Sequence, residues 1–336
     1  MSSHMTPRER VMSALEQKKL DRPPVACFTQ SVTVDVMDVA KVYWPDAHTD
    51  VNKMVELSCA IPKALGFEAV RLPYCLTVEA EIMGCAVDLG KQDRTPMVKK
   101  HVYNAEDTIN VPKDVVHSGR AKIVIEAVKK LKEKVGKEYP IVVGTTGPLT
   151  IAGHLVGTEN LLLWIVTDPD SVVKFIKAAT AVEKQYIAAL DAAGADVIVM
   201  SDPSASTDML SGEMFDEFAR PYIHESFSGA KHAKNVLHIC GDTTILLDHM
   251  IATGAHALSI EEKVSPEKAV ELVNGRVALV GNIGVVRPLL QGTPEDCFKE
   301  AKRVAKAGFD VVAPGCGLAA RVPLANIQAM VKGIKG

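Results

Sequence analysis

The sequence predicts a closed (β/α)8 TIM barrel, and three observations carry that expectation. Short β-branched segments alternate with segments of helical period along nearly the whole chain. Eight strand candidates can be counted, each followed by a stretch able to cross back over a sheet. At 336 residues the chain exceeds the roughly 250 of an ordinary barrel, which leaves room for an insertion within one domain spanning 1–336. A doubly wound open sheet is the other arrangement that the same pattern permits.

The strands are expected at residues 25–29, 69–72, 141–145, 196–200, 235–239, 256–260, 277–281 and 309–313, all rich in Val, Ile and Ala. Helices are expected at 121–135, 171–193, 212–233, 244–252, 266–273, 294–307 and 323–335; several begin at Pro or just after Ser or Thr, as first turns do. Between the second and third strands, residues 77–89 alternate around Gly84 and a polar connection runs on through Pro112. This reads as a hairpin inserted beside the barrel mouth. Met1 to Met5 read as a flexible leader or an expression remnant.

Composition narrows the function. With 47% apolar and 24% charged residues, the chain has material for a large core. Its 38 basic and 41 acidic side chains give no broad positive surface, so nothing in the totals favours a nucleic-acid partner. No secretory signal pattern is present, and no run approaches the roughly 18 apolar residues of a membrane span. A cytoplasmic protein is expected. The seven cysteines lack the spacing of a disulfide framework, so in a reducing compartment they are thiols or ligands.

Two strand ends carry the chemistry. The fifth strand ends Leu237-His238-Ile239-Cys240-Gly241-Asp242. Strand side chains alternate, so His238 and Cys240 share a face, and Gly241 lets the chain turn. The eighth ends Ala313-Pro314-Gly315-Cys316-Gly317, where glycines on both sides release the cysteine into a loop at the same rim. An imidazole and two thiolates suit zinc with one position left open. Asp202, after the fourth strand, either positions a substrate in the mouth or caps a helix. Asn282, after the seventh, either contacts a polar ligand or belongs to an ordinary turn. His154 and the cysteines at 27, 59, 75, 85 and 297 are read as structural.

The chain resembles the uroporphyrinogen decarboxylase superfamily, and within it the methylcobalamin:coenzyme M methyltransferases. The resemblance runs from Thr6-Pro7-Arg8-Glu9-Arg10 and Asp21-Arg22-Pro23-Pro24-Val25, through Thr146-Gly147-Pro148-Leu149-Thr150-Ile151-Ala152-Gly153 and Asp202-Pro203, to His238-Ile239-Cys240-Gly241-Asp242-Thr243-Thr244. His-x-Cys with the distant Cys316 is the signature of the thiol-methylating members. An arginine-rich segment follows the first strand in the decarboxylases; here Thr29-Gln30-Ser31-Val32-Thr33 stands in its place, against a pocket for several carboxylates.

The resemblance implies an α/β barrel, zinc on His238, Cys240 and Cys316, and methyl transfer from a methylated corrinoid to coenzyme M in methanogenesis from methylated one-carbon compounds. The Ser259-Ile260-Glu261 segment looks like the one that supplies a zinc-binding glutamate in cobalamin-independent methionine synthases. Glu261 is therefore expected, ahead of Glu262, as a displaceable fourth ligand with a catalytic role. No Asp-x-His-x-x-Gly corrinoid motif occurs, so the corrinoid is expected to arrive on a partner protein. The sulfonate of coenzyme M needs a cation or backbone donors; Arg71, Arg287 and Arg321 all lie near strand ends, and the sequence does not choose among them. The alternatives are corrinoid chemistry with another donor or acceptor, uroporphyrinogen decarboxylation, and a non-catalytic barrel that holds zinc or corrinoid.

Overall fold

A computed structural model describes residues 5–336, so the expected leader, apart from Met5, lies outside the described residues. Seven parallel strands pair in chain order: β1 (Val70–Leu72), β4 (Ile141–Thr146), β5 (Val197–Ser201), β6 (Lys234–His238), β7 (Ala257–Ile260), β8 (Ala278–Ile283) and β9 (Val311–Pro314). The first expected strand, residues 25–29, closes the ring as a single bridge. Val25 pairs with Val312, Ala26 N–H donates to Val312 O, and Glu68 N–H donates to Val25 O. Pro23 and Pro24 have no N–H to donate, which shortens the ladder here. The architecture is the α/β barrel that the strand count predicts.

Alternation along the strands sorts the barrel interior into layers. Ala69, Val142, Val199, Val236, Ala257, Val280 and Val311 meet inside the ring, and Val11, Ala14 and Leu15 of helix Pro7–Leu15 plug its N-terminal end. Two residues further on, the inward positions become polar or bare: Arg71, Gly144, Ser201, His238, Ser259 and Asn282. A packed apolar floor thus carries a polar layer at the C-terminal mouth, the usual place for barrel chemistry.

The superfamily-level motifs account for the frame. Thr6 and Glu9 form a capping box on the first helix. Its Arg10 pairs with Asp21 and with Glu68, which also receives Arg22 and the Val25 amide. A buried carboxylate with two guanidiniums thereby fixes the segment that closes the ring.

Two elements differ from expectation. Residues 77–89 are not one alternating strand pair: Val78–Ile82 is a helix, and the antiparallel hairpin lies further on, as β2 (Val87–Asp88) with β3 (Met97–Val98). Glu79 is buried and accepts from the Thr146 amide and hydroxyl, so the apparent polar face of an alternating strand points inward. The helix expected at 212–233 is split into Gly212–Phe218 and Arg220–Phe227 at Ala219, because Pro221 has no N–H to continue the first helix's ladder.

Candidate metal centre

Register brings the candidate ligands together. Ser201, His238 and Ser259 sit side by side on β5, β6 and β7. His238 is buried, with Nδ1 3.1 Å from both the carbonyl and the hydroxyl of Ser259. An Nδ1–H donated to that carbonyl leaves the Nε2 lone pair facing Cys240, whose Sγ lies 3.3 Å away. Ile239 points the other way into the apolar shell, and Gly241 turns the chain at φ 92°.

Cys316 reaches the pair from the loop after β9. Gly315 donates its N–H to Ile283 O, and a β-carbon there would lie 2.9 Å from the Glu262 carboxylate, so the bare backbone is what allows the loop to sit so close. The Cys316 and Cys240 sulfurs are 3.5 Å apart. The three donor atoms all lie within 4.8 Å of one another. A hydrogen bond from the Cys240 thiol, aided by the His238 ring, holds the Cys316 thiol below its ordinary range against the opposing effect of burial. That neighbour and burial together push Cys240 up. The pair thus shares one proton, and both sulfurs could ionise together only with a cation between them.

The donor set fits zinc. Zn–S of about 2.3 Å and Zn–N of about 2.0–2.1 Å in a tetrahedron put sulfurs roughly 3.8 Å apart and sulfur and nitrogen roughly 3.6 Å apart, close to the spacings here. As ligands these three residues, two of them only half-buried, would leave a position open towards the mouth. That open side meets a cavity of about 120 Å³, lined by Thr29, Gln30, Arg71, Cys75, Leu76, Ser201, Pro203 and Gly317 besides the three ligands.

A profile of the uroporphyrinogen decarboxylase (URO-D) family matches residues 6–336. The chain belongs to that family. Methylcobamide:CoM methyltransferase MtaA of Methanosarcina barkeri is 38% identical over 331 residues, covering 98% of this chain and 97% of its own. Methylcobamide:CoM methyltransferase MtbA of Methanosarcina acetivorans is 37% identical over 333 residues, with 97% of each chain covered. A solved methyltransferase from Methanosarcina mazei superposes with a TM-score of 0.94 at 39% identity, over 98% of each chain. The resemblance read from the sequence therefore holds, and it lies with the thiol-methylating members.

The other expected site residues of this URO-D protein fall into place unevenly. Glu261 stands beside the cluster but outside the group of three; its carboxylate accepts from the Gly241 amide at 2.5 Å. Asn282 is buried and donates from Nδ2 to Val264 O at 2.7 Å and Glu261 O at 3.3 Å, so it holds the loop that carries Glu261. Asp202 has no exposure, and burial pushes its carboxyl up to about 6. It accepts from Leu149 N, Thr150 N and Thr150 Oγ1 at 3.3, 2.9 and 2.6 Å, capping helix Pro148–Val156 instead of facing the mouth. A β-carbon on Gly147 would lie 2.3 Å from this side chain. His154 lies in that same helix and lines no part of the cavity.

Among the three arginines, only Arg71 lines the cavity of this URO-D barrel. Arg287 lines a separate surface hollow with Glu262 and Asp296, and Arg321 is exposed and pairs with Asp93. Cys75, read as structural, also lines the cavity, where Arg120 Nη1 lies 3.4 Å from its sulfur. Cys27 is buried nearby, and desolvation pushes its thiol up to about 11, which keeps it protonated. Ser259 was missed, although it sits two residues before Glu261 on the same face, which alternation alone would have shown.

Proposed function

We propose that this chain transfers a methyl group from a methylated, protein-borne corrinoid to the thiol of coenzyme M, with zinc held by His238, Cys240 and Cys316. The observation that carries the reading is the cluster itself, three soft donors opening onto a small cavity at the barrel mouth. Bound zinc would favour the thiolate form of an incoming thiol at neutral pH. The names of the methylcobamide:CoM methyltransferases in two Methanosarcina species support the donor and the acceptor.

The protein's own side chains do the positioning. Ser259 fixes the His238 ring so that Nε2 faces the sulfurs. Asn282 holds the 261–264 loop and with it the Glu261 carboxylate, which would serve as the displaceable fourth ligand. In the reaction the sulfur–carbon bond forms as the cobalt–carbon bond breaks, and that bond's electron pair stays on cobalt. The walls orient the thiolate for in-line attack and keep water away. A cavity of about 120 Å³ is far below the ~300–1,000 Å³ of drug-sized sites, so it takes a small thiol and leaves the corrinoid outside the rim. The donor therefore docks as a separate protein, and the chain works as one barrel domain in the cytoplasm; none of its helices among the described residues is alone long and apolar enough to cross a membrane.

The test combines zinc analysis with methylcobalamin demethylation by coenzyme M, homocysteine or tetrahydrofolate. We expect about one zinc per chain, turnover with coenzyme M, and loss of both in Cys240→Ala and Cys316→Ala while the fold survives. Unchanged zinc in both variants would remove the site; turnover with another acceptor alone would remove coenzyme M.

A further inference from the structure

The cavity lined by the sulfurs also holds a buried cation that no carboxylate contacts among the described residues. Arg71 projects into the barrel from β1 and is 2% exposed. Its Nε donates to Phe28 O at 3.4 Å and its Nη1 donates to Pro73 O. Both acceptors are neutral carbonyls, and no carboxylate pairs with Arg71 among the described residues. Two of the five N–H groups of the guanidinium are thus used, which leaves donors for something else. Burying an unpaired charge is costly, and an arginine cannot escape the cost by losing its proton.

The barrel makes room for this group. A β-carbon on Gly144 of β4 would lie 2.1 Å from Arg71 Nη2 and 2.8 Å from its Cζ, so the guanidinium occupies the space a side chain would take on the neighbouring strand. Other anion sites nearby are already filled. Arg120 is tied to Glu81 and Thr77, and the N-terminus of helix Pro148–Val156 is capped by Asp202.

Resting on the proposed thiol methylation, we infer that Arg71 reads an anionic group at the non-reacting end of the thiol substrate and so sets which thiols are methylated. Because the guanidinium and the three donor residues line one cavity of about 120 Å³, the spacer between sulfur and anion must be short. The substrate class is a short thiol carrying a strong-acid group. A sulfonate, with three oxygens, suits the free donors of the guanidinium.

Two measurements test this. Initial rates with methylcobalamin are compared for coenzyme M and for 2-mercaptoethanol, a neutral thiol of the same spacer. Separately, binding of ethanesulfonate, which has no thiol, is followed by ligand-observed NMR, a readout that needs no turnover. In the wild type we expect coenzyme M to be preferred and ethanesulfonate to bind in competition with it. In Arg71→Gln, kcat/KM for coenzyme M should fall roughly 10²-fold, mostly through KM, as when one partner of a buried charge pair is removed. The neutral thiol should change by no more than about threefold, and ethanesulfonate binding should vanish. Gly144→Ala keeps the charge but displaces the guanidinium, and should raise KM for coenzyme M alone even if Arg71→Gln does not fold. A folded Arg71→Gln or Gly144→Ala that keeps the wild-type preference and still binds ethanesulfonate would overturn the inference. Ethanesulfonate bound through Arg71 in an enzyme that methylates no thiol would uphold the anion site and sink the proposed function instead.

Discussion

Asp202 distinguishes a substrate contact from a helix cap, and the two roles predict different numbers. Replacing it with Ala leaves three buried donors, Leu149 N, Thr150 N and Thr150 Oγ1, without their acceptor. At ~1–3 kcal/mol for each orphaned group, the gross cost is about 5 kcal/mol. Against this stands the cost of keeping the carboxylate ionised in a buried site, which those three hydrogen bonds offset only in part. Burial pushes the carboxyl from 3.8 up to about 6, and those two units return ~3 kcal/mol at neutral pH when the charge is removed. Asp202→Ala should therefore lose about 2 kcal/mol at pH 7. Asp202→Asn keeps an oxygen for both Thr150 donors and removes the charge; only the longest contact, to Leu149 N, turns unfavourable, so it should stay within ~1 kcal/mol of wild type. Urea unfolding with linear extrapolation measures both variants, and the KM for coenzyme M should hardly move in either. A tenfold or larger rise in KM for Asp202→Asn at unchanged stability would refute the cap and restore the substrate contact.

Further outcomes follow from the same geometry. Glu183, buried in helix Pro169–Ala193, has no partner for either carboxylate oxygen, and desolvation, with Glu79 nearby, raises it well above its ordinary value. A raised folded-state value means the folded chain keeps a proton the unfolded chain has given up, so stability falls as pH climbs above the ordinary carboxylate range. Glu183→Met should be more stable than wild type at neutral pH and flatten that decline by up to ~1.4 kcal/mol per pH unit; parallel urea midpoints from about pH 5 to about pH 7 would contradict it. At the metal, X-ray absorption at the zinc edge should count two sulfur neighbours in the free enzyme and three after coenzyme M is added, and Glu261→Gln should lower zinc content only modestly while slowing turnover more. A sulfur count that stays constant in an active enzyme would make the zinc structural.

Sequence reasoning reached the fold because the barrel writes a period-two pattern into every strand; seven of the expected strands have a counterpart with ends within two residues, and the one at 25–29 is reduced to a bridge at Val25. It reached His238, Cys240 and Cys316 because glycine and alternation fix where those side chains go. It missed the helix at Val78–Ile82 because a buried glutamate, Glu79, imitates the exposed position of an alternating strand. Asp202 stayed ambiguous because its role depends on an amide 53 residues away, at Leu149, which no local pattern reveals. Choosing Arg71 among three arginines likewise required the ring to close, since only packing separates an inward guanidinium from the exposed ones of similar local sequence.

These placements bear on what family membership can say about activity. The motifs that mark the URO-D family as a whole do architectural work here: Arg10 and Arg22 clamp Glu68 at the ring's closure, and Asp202 caps the helix that opens at Gly147-Pro148. None of these lines the cavity, whereas His238, Cys240, Cys316 and Arg71 all do. The frame and the chemistry thus occupy different layers. Because the apolar floor of Ala and Val carries the packing, residues in the polar layer above it can change with little loss of core stability. A pocket for several carboxylates wants several cations, and here one buried guanidinium shares a cavity of about 120 Å³ with His238 and three thiols. The choice between decarboxylation and thiol methylation therefore lies in that upper layer, and exchanging its residues should move the reaction while leaving the barrel in place.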